Sequence, residues 1–231
     1  MQLYIGNKNY SSWSMRPWVL LTQAGIAFDE VMLRFDSFAA DSAFRQAIGK
    51  ISPVGKVPCL VDGDVAGGLV VWDTLAIAEY LAEKYLDKKL WPEGVAQRAR
   101  ARSICAEMHS GFTALRGACP MNIEASLPEV GALVLRDQPG VQADVARIET
   151  IFTELLDQHG GPFLFGKPFT IADAYFAPVC MRFKTYTLSQ RPEINAYIGR
   201  VCAAPGVAQW IADALVEDDF RDFEEPFRLQ R

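Results

Sequence analysis

The fold of this chain is decided by residues 58–85, which read PCLVDGDVAGGLVVWDTLAIAEYLAEKY. Two apolar runs, Pro58-Cys59-Leu60-Val61 and Leu69-Val70-Val71-Trp72, flank the turn-rich Asp62-Gly63-Asp64, a pattern that is typical of a β-hairpin. Directly afterwards, residues 74–85 place apolar side chains at helical spacing. The segment therefore predicts two antiparallel strands followed by an amphipathic helix.

The residues before this unit supply the rest of a mixed sheet. Leu3-Tyr4-Ile5 and the alternating run Phe28 to Leu33 predict two strands, and residues 14–24 predict a helix between them. The element order is then β-α-β-α-β-β-α, in which parallel strands require crossover helices and the last two strands form a hairpin. We assign this α/β unit to residues 1–85.

The second half of the chain has a different pattern, because strand signals disappear after Leu90-Trp91-Pro92. Apolar side chains recur at helical spacing instead, and they form an apolar stripe along each of the first two predicted helices. These helices cover residues 95–118, 141–158, 171–187, 193–203 and 207–216. The pattern predicts an all-helical domain over residues 91–231, joined to the first half by Asp87-Lys88-Lys89.

The composition argues against several functional classes. The chain has 23 basic and 28 acidic residues, and the basic ones are scattered, so we expect no nucleic-acid partner. No apolar run is long enough to span a bilayer, and the first residues lack a secretory core, so we expect no membrane association. The five cysteines are widely spaced, which predicts reduced thiols in the cytoplasm and no metal site.

The segment YSSWSMRP, residues 10–17, stands where the first strand leads into the first helix. Free backbone N–H groups and the positive end of the helix dipole point outward at such a position, so an anion is stabilised there. A serine hydroxyl adds one more donor. The serines could equally act only as helix caps and turn formers.

Two further features stand near the other strand ends. A cis bond at Val57-Pro58 would turn the backbone before the proline toward a ligand, although most bonds of this type are trans. Asp73 and Thr74 lie where the last strand ends and a helix begins, and both residue types are good caps. Alternatively, the Thr74 hydroxyl and the helix N–H groups would hold a carboxylate while Asp73 pairs with an ammonium group, as an α-amino acid terminus requires.

Together the three motifs resemble the cytosolic glutathione transferase superfamily, and within it the serine-type zeta, tau and phi classes. Residues 11–16, S-S-W-S-M-R, are similar to S-S-C-S-x-R of zeta enzymes and to S-P-F-S-M-R of tau enzymes. In both classes the catalytic serine stands five residues before the arginine. The resemblance therefore implies Ser11 as the catalytic serine, with Ser12 as the neighbouring candidate.

The remaining motifs carry the same resemblance. Residues 53–58, PVGKVP, resemble the P-x-x-K/Q-V-P segment whose cis-proline presents the valine backbone to the cysteine of glutathione. Asp73-Thr74 resembles the E/D-S pair that holds the γ-glutamyl group. Residues 169–173, FTIAD, resemble the S/T-x-A-D box of the sixth helix, and as a capping box they give Asp173 a structural role. The implied glutathione-binding residues are Lys56, Val57, Pro58, Asp73 and Thr74, with Lys56 as the candidate for the glycyl carboxylate.

The resemblance implies an architecture and a chemistry. The fold would be α/β plus all-α, with a thioredoxin-like glutathione-binding domain at residues 1–85 and an α-helical bundle at residues 91–231. The protein would be a homodimer that uses glutathione as co-substrate and no metal. A small hydrophobic electrophile would lie between the domains. Its predicted wall comprises Trp13, Met108, Phe112 and Arg116, although plain core packing accounts for Met108 and Phe112 equally well, and His109 could be packed, exposed or catalytic.

Several activities fit this scaffold. The first is conjugation of glutathione to an electrophile, and the second is a glutathione-dependent isomerase, similar to maleylacetoacetate isomerase, or a peroxidase. Trp13 replaces the cysteine of the zeta signature, which weighs against the isomerase. A thiol-disulfide oxidoreductase is disfavoured because no cysteine lies near Ser11. A non-catalytic ligand-binding or interaction protein would keep the same fold.

Overall fold

The computed structural model describes residues 1–231, and the first half of the chain forms one four-stranded mixed sheet. The strands are β1 (Gln2–Ile5), β2 (Asp29–Met32), β3 (Cys59–Asp62) and β4 (Leu69–Trp72), in the spatial order β2-β1-β3-β4. β1 is parallel to β2, with Leu3 opposite Glu30, whereas the β1–β3 and β3–β4 pairs are antiparallel. The predicted hairpin and element order are confirmed.

Three helices complete this half of the molecule. They are α1 (Ser12–Gln23), α2 (Ala43–Gly49) and α3 (Thr74–Lys84). α1 connects the parallel strands β1 and β2, and its Met15, Val19 and Leu21 have no exposed surface. The arrangement is the predicted thioredoxin-like fold, and it places the first turns of α1 and α3 beside the segment that leads into β3.

The second half contains seven α-helices and no strand. They are α4 (Val95–Ser110), α5 (Thr113–Ala118), α6 (Pro128–Asp137), α7 (Pro139–His159), α8 (Ile171–Tyr186), α9 (Pro192–Ala203) and α10 (Pro205–Val216). None of the helices combines the length and the apolar character that a membrane crossing needs. The all-helical second domain is confirmed, and α6 is a helix that the sequence pattern did not predict.

The stripe predicted over residues 95–118 is divided between two helices. The backbone of Phe112 has a φ of 54°, which is outside the right-handed helical region. A Cβ atom at Gly111 would lie 2.7 Å from the carbonyl oxygen of Glu107, so only glycine allows the chain to turn there. The prediction of one continuous helix was wrong, because a tertiary turn at Gly111 overrides the local spacing.

The helix α8 ties the two halves together. It packs against both α1 and α4, and one hydrophobic core runs through the sheet half and the helical half. Asp173 is fully buried in its first turn, where its carboxylate accepts from the backbone N–H groups of Thr170 (2.9 Å) and Leu164 (3.0 Å). The predicted capping role of Asp173 is confirmed. The domain limits, residues 1–85 and 91–231, stay a prediction.

The residues after α10 return to the first half of the chain. The Asn7 side chain donates to Glu217 (2.9 Å), and the Tyr10 hydroxyl donates to Glu225 (2.8 Å). Glu225 also accepts from the side-chain amide of Asn122, at 2.8 Å. The end of the chain is thereby fixed next to the start of α1, a contact between positions more than 200 residues apart that the sequence did not indicate.

Candidate active site

Ser11 caps the N-terminus of α1. Its Oγ accepts from the backbone N–H of Ser14 at 3.4 Å, and the Ser11 hydroxyl donates to Ser14 Oγ at 2.7 Å. Ser14 Oγ also accepts from the backbone N–H of Gly6, at 3.1 Å. Because a hydroxyl proton can turn between acceptors, the Ser14 hydroxyl can donate to Ser11 and leave the Ser11 proton for a ligand. The sequence analysis did not identify Ser14 as a site residue. The sequence feature that could have indicated it is a second serine three positions after the capping serine, Ser11.

Ser12 is the first residue of α1, and it has a different environment. Its Oγ accepts from the Arg182 guanidinium on α8 at 3.4 Å. Arg182 also donates to the backbone oxygen of Cys119, at 2.9 Å. Both Ser11 and Ser12 border the same cleft, although each is more than nine-tenths buried. The structure thus gives each serine its own partner, Ser14 for Ser11 and Arg182 for Ser12.

The Val57-Pro58 peptide bond is cis, as the resemblance to the P-x-x-K/Q-V-P segment implies. Pro58 is buried directly before β3, and Val57 lies two residues before the first residue of the strand. Neither the backbone N–H nor the backbone oxygen of Val57 has a hydrogen-bond partner within the chain. An extended backbone lying along this segment would satisfy both groups.

Asp73 and Thr74 have different hydrogen-bond partners at the start of α3. Asp73 is the cap of α3, since its Oδ1 accepts from the backbone N–H of Leu75 at 2.9 Å. Its backbone has a φ of 74°, a strained value for a residue other than glycine, and such strain is concentrated at functional sites. Thr74 is instead the first helical residue, and its hydroxyl lies 2.5 Å from the Tyr175 hydroxyl.

Trp13 stands at the centre of the site. Arg16 stacks on its ring at 4.3 Å and Arg116 at 4.7 Å from the ring centroid, and His109 contacts it edge-on at 5.1 Å. The Nε2 atom of His109 lies 3.2 Å from the Asp73 carboxylate. The structure therefore brings His109 into the site, whereas the sequence left its place open.

Two open cavities meet at Trp13. The large cavity, about 730 Å³, contains Ser11, Ser12 and Arg182, and the small cavity, about 560 Å³, contains Pro58, Asp73 and Thr74. The residues that border both cavities are Trp13, Lys56, Val57 and Arg116. All the predicted glutathione-binding residues and both catalytic candidates are thus gathered around one cleft.

Two residues of the predicted substrate wall lie elsewhere. Met108 has no exposed surface and Phe112 is 6% exposed, and both belong to the hydrophobic core. Neither borders either cavity, and Met108 continues the buried face of α4 that Ile104 and Cys105 form. The wall role predicted for Met108 and Phe112 does not fit the structure. Met121 and Pro120, which follow α5, take that place in the large cavity.

Two buried arginines lie at the site, Arg182 in the lining of the large cavity and Arg16 against the Trp13 ring. Arg16 and Arg182 are both buried, and neither has an acidic partner within salt-bridge distance. Burial lowers the pKa of Arg16 to about 10 and that of Arg182 to about 9, so both stay protonated at neutral pH. One Nη atom of Arg16 also lacks any hydrogen-bond partner. An anion bound in the large cavity beside Arg182 would offset the cost of burying that charge.

Both halves of the chain match known family models. Residues 10–84 match "Glutathione S-transferase, N-terminal domain", and residues 138–213 match "Glutathione S-transferase, C-terminal domain". The two matches include the serine motif, the cis-proline segment, the Asp73-Thr74 pair and the capping box at Asp173. The family signal therefore covers both domains of the structure.

Individual relatives and structures agree with these models. A zeta-class glutathione S-transferase from Euphorbia esula is 28% identical, over 73% of this chain and 70% of its own length. A probable maleylacetoacetate isomerase from Caenorhabditis elegans is also 28% identical, over 82% of each chain. The crystal structure of a glutathione transferase homologue from Burkholderia, with bound glutathione, has a TM-score of 0.66 at 24% identity, covering 92% of this chain and 96% of its own. The last likeness shows the shared fold.

Proposed function

The chain belongs to the glutathione S-transferase family, and from that premise we propose that it activates glutathione as a thiolate and joins it to a small hydrophobic electrophile. The observation that carries this proposal is the position of Ser11. Its hydroxyl caps α1 at the edge of the large cavity, which is also lined by Arg182, a residue without an acidic partner. A thiolate at this point would meet a hydroxyl donor, a helix N-terminus and a positive field.

The hydroxyl donor and the helix N-terminus together can lower the pKa of the thiol as far as the reaction requires. A free thiol with a pKa of about 8.5 is only about 3% ionised at neutral pH, and the thiolate is the nucleophile. Lowering that pKa by roughly two units would ionise about three quarters of the bound thiol, which corresponds to about 2.7 kcal/mol. A charge-assisted hydrogen bond contributes about 1.5–3 kcal/mol, and a helix N-terminus contributes roughly 0.3–1 kcal/mol. Ser11 donates to the sulfur and needs no base of its own.

The rest of glutathione would lie along the small cavity. The free backbone groups of Val57 would pair with the cysteine of glutathione, held in place by Pro58. Thr74 would bind the γ-glutamyl carboxylate, because Tyr175 can donate to Thr74 Oγ1 and leave the Thr74 proton for the ligand. Asp73 would pair with the γ-glutamyl ammonium group. Lys56 would face the glycyl carboxylate, since it borders both cavities and has no carboxylate partner.

A glutathione-dependent isomerase is the second candidate, and the basic lining of the large cavity favours it. Arg45, Arg116 and Arg182 all border that cavity without an ion pair, and arginine binds carboxylates well. An acidic substrate, such as the one in the name of the Caenorhabditis elegans relative, would suit such a lining. Turnover of a carboxylate-bearing cis-enone, without net consumption of glutathione, would distinguish isomerisation from conjugation.

We also propose that the protein is a cytoplasmic homodimer. All five cysteines are free, as is common in the reducing cytoplasm. Trp72, the last residue of the edge strand β4, is 42% exposed, and Val54, which borders the same cavity, is 47% exposed, so a second copy could cover both. Light scattering should give twice the chain mass of 25.6 kDa, and a monomer at micromolar concentration would contradict the dimer. Fractionation of the source cells tests the location.

The function is tested by binding and by turnover. Purified protein should be retained on immobilised glutathione, and bound glutathione should show thiolate absorbance in ultraviolet difference spectra at neutral pH. Chlorodinitrobenzene should then be conjugated, with release of chloride. Absence of both the thiolate signal and conjugation would contradict the transferase, whereas a thiolate signal without conjugation would favour the isomerase.

A further inference from the structure

Glu224 borders the large cavity but has no part in the function described so far. It lies in the short 3-10 turn Asp222–Glu224, beyond residue 213, where the match to the C-terminal family model ends. The side chain is half-buried, and it makes no hydrogen bond and no ion pair in the protein. A carboxyl group in this state is available to a ligand in the cavity.

Glu224 lines the same cavity as Ser11, the proposed donor to the sulfur. A 2.8 Å hydrogen bond from the Tyr10 hydroxyl to Glu225 joins the start of α1 to this turn. Ser11 follows Tyr10 in the chain, and Glu224 precedes Glu225. The backbone N–H of Arg221 donates to the same Tyr10 hydroxyl at 3.2 Å, which fixes the turn from its other side. Ser11 and Glu224 therefore face one volume from two separate elements.

We propose that the Glu224 carboxyl is a catalytic proton donor to electrophiles that accept the glutathione sulfur by addition, so that enones and epoxides are the favoured substrate class. This proposal rests on the proposed function. In an enone, the thiolate forms a bond to the β-carbon and the π electrons move toward the carbonyl oxygen, giving an enolate. Glu224 gives its proton to the enolate and is then reprotonated from the solvent, which received the thiol proton when the thiolate formed. With an epoxide, the carbon–oxygen bond breaks, and the proton goes to the alkoxide.

The environment keeps a proton available on this carboxyl. Burial, followed by the neighbouring charge of Glu225, raises the pKa of Glu224 to about 7, so about half of it is protonated at neutral pH. A general acid is most effective when its pKa lies near the working pH. The other ionisable groups that line this cavity are Tyr10, Arg45, Lys56, Arg116 and Arg182.

The test compares two substrates in one variant. Addition to an enone needs a proton donor, whereas substitution on chlorodinitrobenzene expels chloride and needs none. Glu224→Gln, which keeps the size of the side chain but cannot give up a proton, should lower kcat/KM for the enone by about a hundred-fold. The decrease in kcat/KM for chlorodinitrobenzene should be at least ten-fold smaller than the decrease for the enone. Asp222→Asn, the same change of charge on the same turn, is the control and should leave both reactions unchanged.

The pH dependence supplies a second readout. In the wild type the rate of addition should fall on the alkaline side as Glu224 loses its proton near pH 7. This alkaline limb of the pH–rate profile should be absent in Glu224→Gln, and it should also be absent from the substitution reaction in the wild type. Equal losses for the two substrates, or an alkaline limb that survives in the variant, would overturn the proposal. A wild type that forms neither thiolate nor conjugate would instead overturn the proposed function, and this proposal with it.

Discussion

The two cavities that meet at Trp13 are built in different ways. The small cavity is lined mainly by residues close together in the first half of the chain, and only His109 and Arg116 come from the second half. The large cavity joins the start of α1 to residues from α8 and from the end of the chain, such as Arg182 and Glu224. The glutathione side is thus local in sequence, and the electrophile side depends on long-range packing.

This difference separates binding from specificity. Residues of the small cavity would hold parts of glutathione that do not change during the reaction, so their loss is expected to weaken binding in the ground state and in the transition state alike. Residues of the large cavity would meet the sulfur and the electrophile, where charge changes. Substitutions on the two sides should therefore differ in which kinetic constant they alter.

The largest effect is expected at Ser11. Ser11→Ala removes the proposed donor to the sulfur, so the pKa of bound glutathione should rise and kcat/KM should fall by about ten- to a thousand-fold. The affinity for glutathione should change little, because its other contacts lie in the small cavity. Thiolate absorbance and conjugation kinetics measure both effects.

Ser12→Ala is the matched control, since Ser12 borders the same cavity but accepts from Arg182. Full activity in Ser11→Ala together with a collapse in Ser12→Ala would move the donor role to Ser12. If the double variant kept wild-type thiolate absorbance, the serine-type mechanism itself would be wrong.

The same division explains what the sequence could predict. The strands and the cap of α8 follow from local signals such as turn residues, apolar spacing and capping boxes, whereas the cis bond at Val57-Pro58 is implied by the resemblance of residues 53–58 to a family motif. The turn at Gly111 and the burial of Met108 and Phe112 in the core depend on tertiary packing. The place of Glu224 depends on a hydrogen bond to Tyr10, more than 200 residues away, which no local pattern encodes.

The next largest effect is expected at Thr74, in the small cavity. Thr74→Ala should raise KM for glutathione about ten-fold and leave kcat nearly unchanged, since a hydrogen bond to a charged group contributes about 1.5–3 kcal/mol. Thr74→Ser keeps the hydroxyl and should stay close to wild type. A fall in kcat at constant KM would contradict the assignment. Thermal denaturation must accompany the kinetics, because Tyr175 loses its partner.

A smaller effect is expected where the end of the chain meets Tyr10. Tyr10→Phe removes the hydrogen bond to Glu225 and should lower the free energy of unfolding by about 1 kcal/mol. It should also raise KM for the electrophile, because the turn at Glu224 is less firmly held, and leave KM for glutathione unchanged. Denaturant titration and steady-state kinetics measure the two effects.

Tyr80→Phe provides the control for that variant. The Tyr80 hydroxyl donates to Asp62 at 2.5 Å, but Tyr80 borders neither cavity. This variant should lose stability without any change in the KM for the electrophile. An equal rise of that KM in both variants would mean that the kinetic effect of Tyr10→Phe is only a general loss of stability.

The smallest effect is expected at Lys56, an exposed residue between the two cavities. Lys56→Ala should raise KM for glutathione about two- to five-fold, since an exposed ion pair contributes roughly 0.2–1 kcal/mol, and salt should reduce the difference. Lys50→Ala, another exposed lysine that borders neither cavity, should have no effect. γ-Glutamylcysteine lacks the glycyl carboxylate, so its KM should be the same for wild type and Lys56→Ala. If Lys56→Ala weakened both thiols equally, Lys56 would contact another part of glutathione, and the glycyl carboxylate would need a different partner.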